Sequence, residues 1–95
     1  MKPAYWIAHV TVTDAEAYAR YAELATKAMA EHEGEFLARG GANTWFEGTE
    51  RPRNVVARFP SMEAAEACYR SDTYQEALTH ARGASERDLM IVEGL

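Results

Sequence analysis

Nine consecutive residues near the start of the chain, Ala4-Tyr5-Trp6-Ile7-Ala8-His9-Val10-Thr11-Val12, leave few folds open. They are rich in aromatic and β-branched types and are bounded by Pro3 and Asp14, the pattern of a strand. Successive side chains of a strand point to opposite faces, so Tyr5, Ile7, His9 and Thr11 share one face while Trp6, Ala8, Val10 and Val12 share the other. Both faces are largely apolar. A sheet built around such a strand has to be covered on two sides.

Directly afterwards, Thr13-Asp14-Ala15-Glu16 has the spacing of a capping box, with Thr13 as the capping residue of a helix. Tyr18, Tyr21, Ala22, Ala25, Ala28 and Met29 fall in one stripe at helical period, with Glu16, Arg20, Glu23, Lys27 and Glu31 opposite and Gly34 as the stop. From Glu35 to Glu47 the pattern predicts one long strand, kinked at Gly40-Gly41. Turn chemistry from Gly48 to Asn54 precedes a third strand, Val55 to Phe59, and the two strands form a hairpin. Pro60 and the capping residue Ser61 open a second helix carrying Met62, Ala65, Cys68 and Tyr69. Ser71-Asp72-Thr73 predicts a break before a further helical piece from Tyr74 to about Ala81, ended by Gly83. Leu89-Met90-Ile91-Val92 is a short apolar run suited to a buried strand.

The order βαββαβ places the chain in the α+β class. It is the ferredoxin-like arrangement, a four-stranded antiparallel sheet with its helices on one face, in a single domain over residues 1–95. Alternation sends Tyr5/Ile7, Val55/Ala57 and Leu89/Ile91 to one side of the sheet and Trp6/Ala8, Val56 and Met90/Val92 to the other. An uncovered apolar face of that kind rarely stays in water. The expected cover is a second copy, a homodimer joined sheet face to sheet face. Length argues the same way: a domain of 95 residues buries only roughly 60 to 70% of its unfolded surface and gains stability from association.

Composition removes several classes of partner. Ten Lys and Arg against 15 Asp and Glu give a formal charge of -5, without the basic footprint of a nucleic-acid or anionic-membrane binder. No stretch approaches the roughly 20 apolar residues needed to span a bilayer. Lys2 and Pro3 lead straight into the first strand without a secretory leader pattern, and the one cysteine, Cys68, forms no internal disulfide. A cytoplasmic location is the expectation.

Several segments together are similar to one family. Phe36-Leu37-Ala38-Arg39-Gly40-Gly41, Glu47-Gly48 with Arg51-Pro52, Phe59-Pro60-Ser61, Tyr69 through Ser71 to Tyr74-Gln75, and Ile91-Val92-Glu93-Gly94 resemble domain of unknown function 1330 over nearly the whole chain. The resemblance implies a dimeric alpha-beta barrel, a superfamily that includes small monooxygenases, muconolactone-isomerase-like enzymes and haem-degrading enzymes. Two departures from the pattern are Arg58, at a strand position where similar sequences often carry an acid, and Cys68, where an aromatic is common. Haem-degrading relatives use a helical histidine, for which His80 would stand, but they also share an asparagine in the first strand, and Ala4–Val12 has none.

Two residues are candidates for chemistry. His9 sits mid-strand and could move a proton in an apolar cleft, or could equally be a buried histidine bonded to a neighbour. Arg39, ahead of two glycines, could hold a carboxylate or enolate, or could serve an ion pair at a bulge or between subunits. Tyr5, Trp45, Tyr69, Tyr74 and Arg82 are candidate ligand contacts. The competing reading makes the tyrosine pair of the helices core, Trp45 an interface residue and Arg82 a complement to a helix C-terminus. Glu93 near the end of the last strand is a solvated carboxylate as readily as an acid or base. His9, His32 and His80 have no ligand-pair spacing, and Glu76 with His80 is a surface pair more often than a metal site, so no metal is expected. Cys68 lies on an apolar stripe with Ala65 and Tyr69 and reads as inert. No phosphate-cradling glycine pattern is present, and no cofactor is expected.

Two functions follow from these residues. One is a small-molecule-binding homodimer, a cofactor-independent enzyme of monooxygenase or isomerase type acting on a small acidic or phenolic compound, with Arg39 orienting the anion and His9 moving the proton. The other is a non-catalytic ligand-binding or structural dimerisation module.

Overall fold

A computed structural model describes residues 1–95. The elements are β1 (Ala4–Val12), α1 (Ala15–Glu31), β2 (Glu35–Arg39), β3 (Arg53–Phe59), α2 (Met62–Arg70), α3 (Asp72–Ala81) and β4 (Ser85–Glu93). The four strands form one antiparallel sheet in the order β2-β3-β1-β4, with β1 bonded on both sides. This is the ferredoxin-like fold, and β1 occupies the bounds its composition predicts.

Register decides which side chains share a face. Trp6 lies opposite Ala57 and Ile91, while Ile7 lies opposite Val56 and Met90 and Tyr5 opposite Val92. The expected grouping of Tyr5 and Ile7 with Val55/Ala57 and Leu89/Ile91 is therefore corrected. Alternation within each strand was right, but facing across strands is set by hydrogen-bond register, which periodicity alone does not contain. Ala4, Trp6, Ala8, Val10, Ala57 and Phe59 point toward the helices and are buried. Tyr5, Ile7, His9, Thr11, Asn54 and Val56 point the other way, with Met90 50% and Val92 42% exposed beside them.

The core is organised around Trp6. Its ring lies 5.0 Å from Tyr74 in an edge contact, 5.7 Å from Phe59 and 5.9 Å from Tyr69. Such offset and edge contacts suit the ring quadrupoles and add to the burial of large apolar area.

Local chemistry places the helices. Asp14, not Thr13, caps α1, its carboxylate accepting from the Ala17 N–H at 3.2 Å. Thr13 does not fill that role because Asp14 is itself extended, with φ -136° and ψ 97°, so the first helical residue is Ala15. At the other end, Glu33 takes a left-handed φ of 62° and the Gly34 N–H returns to the Met29 carbonyl at 2.8 Å. That is the hydrogen bonding of a Schellman turn. The break between α2 and α3 falls at Ser71, whose hydroxyl donates to the Cys68 carbonyl at 2.7 Å and accepts from the Tyr74 N–H at 3.2 Å. One hydroxyl thus closes α2 and opens α3.

The long kinked strand expected over 35–47 is shorter. β2 stops at Arg39 because Gly40 adopts a φ of +68° and turns the chain out of the sheet, and the kink within β2 is a bulge between Phe36 and Ala38. Residues 41–52 run as irregular backbone, with the Asn43 amide donating to the Gly41 and Pro52 carbonyls. β3 and β4 begin earlier than expected, at Arg53 and Ser85, so each gains a polar start.

A methyl group added at Gly34 would stand 2.8 Å from the Phe59 ring and 3.2 Å from the Met29 carbonyl oxygen. Gly34→Ala is therefore expected to lower stability by about 1–3 kcal/mol through overpacking, read as a lower denaturant midpoint with unchanged slope.

Candidate functional site

Between α1 and the sheet lies a cavity lined with arginine and tyrosine. Its floor comes from Trp6, Ala8 and Val10 of β1, its roof from Tyr18, Tyr21, Ala25 and Met29 of α1. Arg39, Arg53 and Arg87 enter from β2, β3 and β4, and no carboxylate or histidine lines it. The unfilled volume is about 30 Å³, room for a group of one or two water-sized atoms. Thr26 and Arg39, at the rim, are exposed.

Register explains the positions of two arginines. Val10 pairs with Arg53 on one side and with Arg87 on the other, so the three residues form one row across the helix-facing side of the sheet. Neighbouring strands lie about 4.8 Å apart, which puts the two arginine backbones about 10 Å from each other. A tyrosine ring stands over each guanidinium, Tyr18 at 5.9 Å from Arg53 and Tyr21 at 4.5 Å from Arg87. The two rings are themselves 4.8 Å apart. Arg39 belongs to the next row, opposite Val55, with its guanidinium 4.2 Å over the Phe36 ring and 3.4 Å from the Thr26 hydroxyl.

None of these three arginines takes part in an ion pair; the salt bridges of the chain involve Arg20, Arg51 and Arg70. Arg87 donates to the hydroxyl oxygens of Tyr21 at 2.7 Å and Tyr74 at 3.0 Å, and those two hydroxyls share a hydrogen bond of 2.7 Å. The Nε–H groups of Arg53 and Arg87 are buried with no acceptor from the chain. A buried charge without a counter-charge is costly, and so is an unpaired donor.

Burial raises the pKa of the Tyr21 phenol well above the ordinary tyrosine value and raises that of Tyr74, in both against the pull of Arg87, so both stay protonated. Burial also works against the charge on Arg87, but the phenol oxygens facing it outweigh that and the guanidinium stays charged.

The expected candidates are divided among different surroundings. Arg39 reaches the cavity, and Tyr74 adjoins it through its hydroxyl bond to Tyr21. His9 lies on the opposite face of the sheet, its Nδ1 donating to the Asn54 side-chain oxygen at 2.6 Å and its ring 5.3 Å from Trp45 in an edge contact. The expectation of His9 and Arg39 acting on one ligand is corrected: Arg39 shares the register face of Val55, and His9 that of Asn54, with the sheet between them. Tyr5 is on the open face with His9. Tyr69 packs on Trp6 and is 37% exposed, and with Arg82 at the C-terminus of α3 it borders a separate shallow groove beside Ser85. Tyr18, Tyr21, Arg53 and Arg87 are site residues that the sequence patterns above do not single out. Arg53 and Arg87 are two residues before Val55 and Leu89, in phase with the buried faces of their strands, and a cation in that phase is the signal that marks them.

No three His, Cys, Asp or Glu side chains come together as a metal-binding group. Cys68 is fully buried.

Residues 3–95 match the family described as Domain of unknown function (DUF1330). The chain belongs to that family. No protein with a curated description matches it significantly. Among solved structures it is similar to RPA0582, a protein of unknown function from Rhodopseudomonas palustris, with 22% identity, a TM-score of 0.79, and 99% of this chain and 83% of that one covered. It is similar also to SnoaB, a cofactor-independent oxygenase from Streptomyces nogalater, at 11% identity and a TM-score of 0.63, covering 100% and 95%. A dimeric ferredoxin-like protein of unknown function from Jannaschia sp. matches at 17% identity and 0.66, covering 97% and 99%. At these identities the likeness establishes a shared fold. No helix of this DUF1330 member is long and apolar enough to cross a membrane.

Burial, with a smaller contribution from Glu31, pushes the Cys68 thiol from 9.0 up to about 11. The unfolded chain releases that proton first, so stability is expected to hold below pH 9.0 and to fall as pH rises toward about 11. Tyr21 and Tyr74 extend the loss above their ordinary 10.0. Denaturant midpoints measured across this range test it: in Cys68→Ala the decline between 9.0 and 10.0 should flatten.

Proposed function

We propose that this DUF1330 member is a homodimeric binding protein for small organic acids, held with the acidic head group in the cavity beneath α1. The observation that carries this reading is the set Arg39, Arg53 and Arg87, three guanidinium groups around one cavity without a carboxylate, in a chain whose net charge is -5. Positive charge that the protein leaves without a counter-charge is matched by an anion from outside. The small free volume suits a carboxylate-sized head, and Phe36, Ala22 and Met29 with the exposed rim at Thr26 suit an apolar body.

The dimer forms through the open sheet face, where Ile7, Val56, Met90 and Val92 make an apolar stripe that nothing in the chain covers. The Jannaschia protein of the same fold is described as dimeric. Light scattering at micromolar concentration is expected to give twice the 10.6 kDa chain mass, and Ile7→Asp to return the protein to a monomer by placing a charge in the contact. A wild-type monomer would overturn the dimer.

For the acid site, thermal shift with aromatic and short aliphatic carboxylates should raise the melting temperature, while the corresponding amides should not. At a ligand concentration a hundredfold above Kd the gain is about 2.7 kcal/mol. Arg53→Met should abolish the response while leaving the unliganded protein as stable as wild type or more so, because Arg53 has no hydrogen bond or ion pair to lose. A loss of unliganded stability with ligand response retained would make Arg53 structural and remove the reading. The finer alternative of a cofactor-independent enzyme, the activity named for SnoaB, predicts that acids which shift the wild type are also consumed, with oxygen uptake or isomerisation as the readout.

A further inference from the structure

The cavity beneath α1 presents more hydrogen-bond donors than acceptors. Arg39, Arg53 and Arg87 can only donate. The Thr26 hydroxyl donates to the Ala22 carbonyl and accepts from Arg39, and the Tyr18 hydroxyl can donate or accept. Tyr21 and Tyr74 hold two hydroxyl protons and share one hydrogen bond, in which either can donate, and Arg87 beside them cannot accept. In both arrangements one proton has no acceptor in the chain. An acceptor placed in the cavity that the Tyr21 ring lines would take the Tyr21 proton, with Tyr74 donating to Tyr21. The reverse order would strand the Tyr74 proton in the core.

A site rich in cations and without an acid discriminates by protonation state. A neutral hydroxyl placed there leaves the guanidinium charges unmatched, whereas the corresponding oxyanion accepts from several donors and offsets that charge. The charged and titratable groups facing this point are Tyr18 and Tyr21 from α1, Arg39 from β2, Arg53 from β3, Arg87 from β4 and Tyr74 from α3, with no acid or histidine among them. We propose that the site takes phenols and enols as their oxyanions, with Tyr21 donating to the ligand oxygen, Arg53 and Arg87 neutralising its charge, and Tyr74 positioning the Tyr21 hydroxyl. The ligand's proton passes to solvent on binding, so uptake of a neutral phenol releases one proton. This rests on the cavity being an organic-acid site, and it widens the ligand class from strong acids to compounds that are mostly neutral in water.

The probe is 4-nitrophenol, whose neutral and ionised forms differ in visible absorbance, with benzoate and the non-ionisable 4-nitroanisole as companions. On the full-length wild-type chain, bound 4-nitrophenol should ionise at least about one pH unit below the free probe, a tenfold change in its ionisation constant. 4-Nitroanisole should fail to displace it. Tyr21→Phe should move the bound midpoint back toward the free value. Tyr74→Phe should do so partly, and Arg53→Met, which disturbs no hydrogen bond of the fold, should abolish the shift. Binding of 4-nitrophenol in its neutral form, or its failure to bind while benzoate does, would overturn this inference and leave the organic-acid reading standing. Failure of both ligands to bind would overturn both.

Discussion

The double pairing of β1 is the constraint on which the rest of the molecule depends. Because β3 and β4 both bond to it, one row of side chains across the sheet is fixed at every second residue of β1. One such row is Ala57-Trp6-Ile91, the apolar centre that the helices cover. Two rows further along, the same geometry gives Arg53-Val10-Arg87. Core and cavity are thus two ends of one ladder, and the polarity of the row changes over about 13 Å of strand. A slip of one residue in either ladder would send its arginine to the open face and bring an outward residue into the core. The apolar packing at one end is what holds the charged end in place.

Much of the fold is legible in the residues themselves. β1 follows from alternation in Ala4–Val12, and the break between α2 and α3 from the cluster Ser71-Asp72-Thr73, because both signals are local. The failures share a cause. Gly40-Gly41 reads as a kink inside a strand, but the left-handed turn at Gly40 ends the strand there, just after its N–H bonds the Asn54 carbonyl. The starts of β3 and β4 are polar, so the apolar runs Val55–Phe59 and Leu89–Val92 understate both strands. The residues lost in that truncation include Arg53 and Arg87. Arg39 stands out because the expected strand over 35–47 includes the whole of β2. The separation of His9 from Arg39 needed facing information that exists only between strands.

The open face and the cavity use opposite solutions to the same shortage of core. On the open face, apolar side chains such as Ile7 and Val56 are left for another surface to cover. Beneath α1, space that a larger domain would fill with leucine is instead divided among long cations and phenols, whose stems and rings are apolar and whose tips are not. Tyr18 and Tyr21 are buried with their rings against guanidinium groups, so the roof of the cavity packs as core while it also borders charge. His9, Asn54 and Arg51 make a second polar cluster on the far side, where Arg51 bridges Thr11, Glu86 and Asp88 and so ties residues 41–52 to β1 and β4.

The shared hydroxyl of Ser71 reaches further than its size suggests. In one unbroken helix Tyr69 and Tyr74, five residues apart, would diverge by about 140° around the axis, and both could not lean on the Trp6 ring. With the chain restarted at Ser71, the rotational phase of α3 is set afresh, independently of α2. Insertions or substitutions along α2 are therefore insulated from the placement of Tyr74 by a single residue. The two helices can drift apart in evolution, one free to reshape the outer surface near β4 while the other keeps its phenol in register with Tyr21.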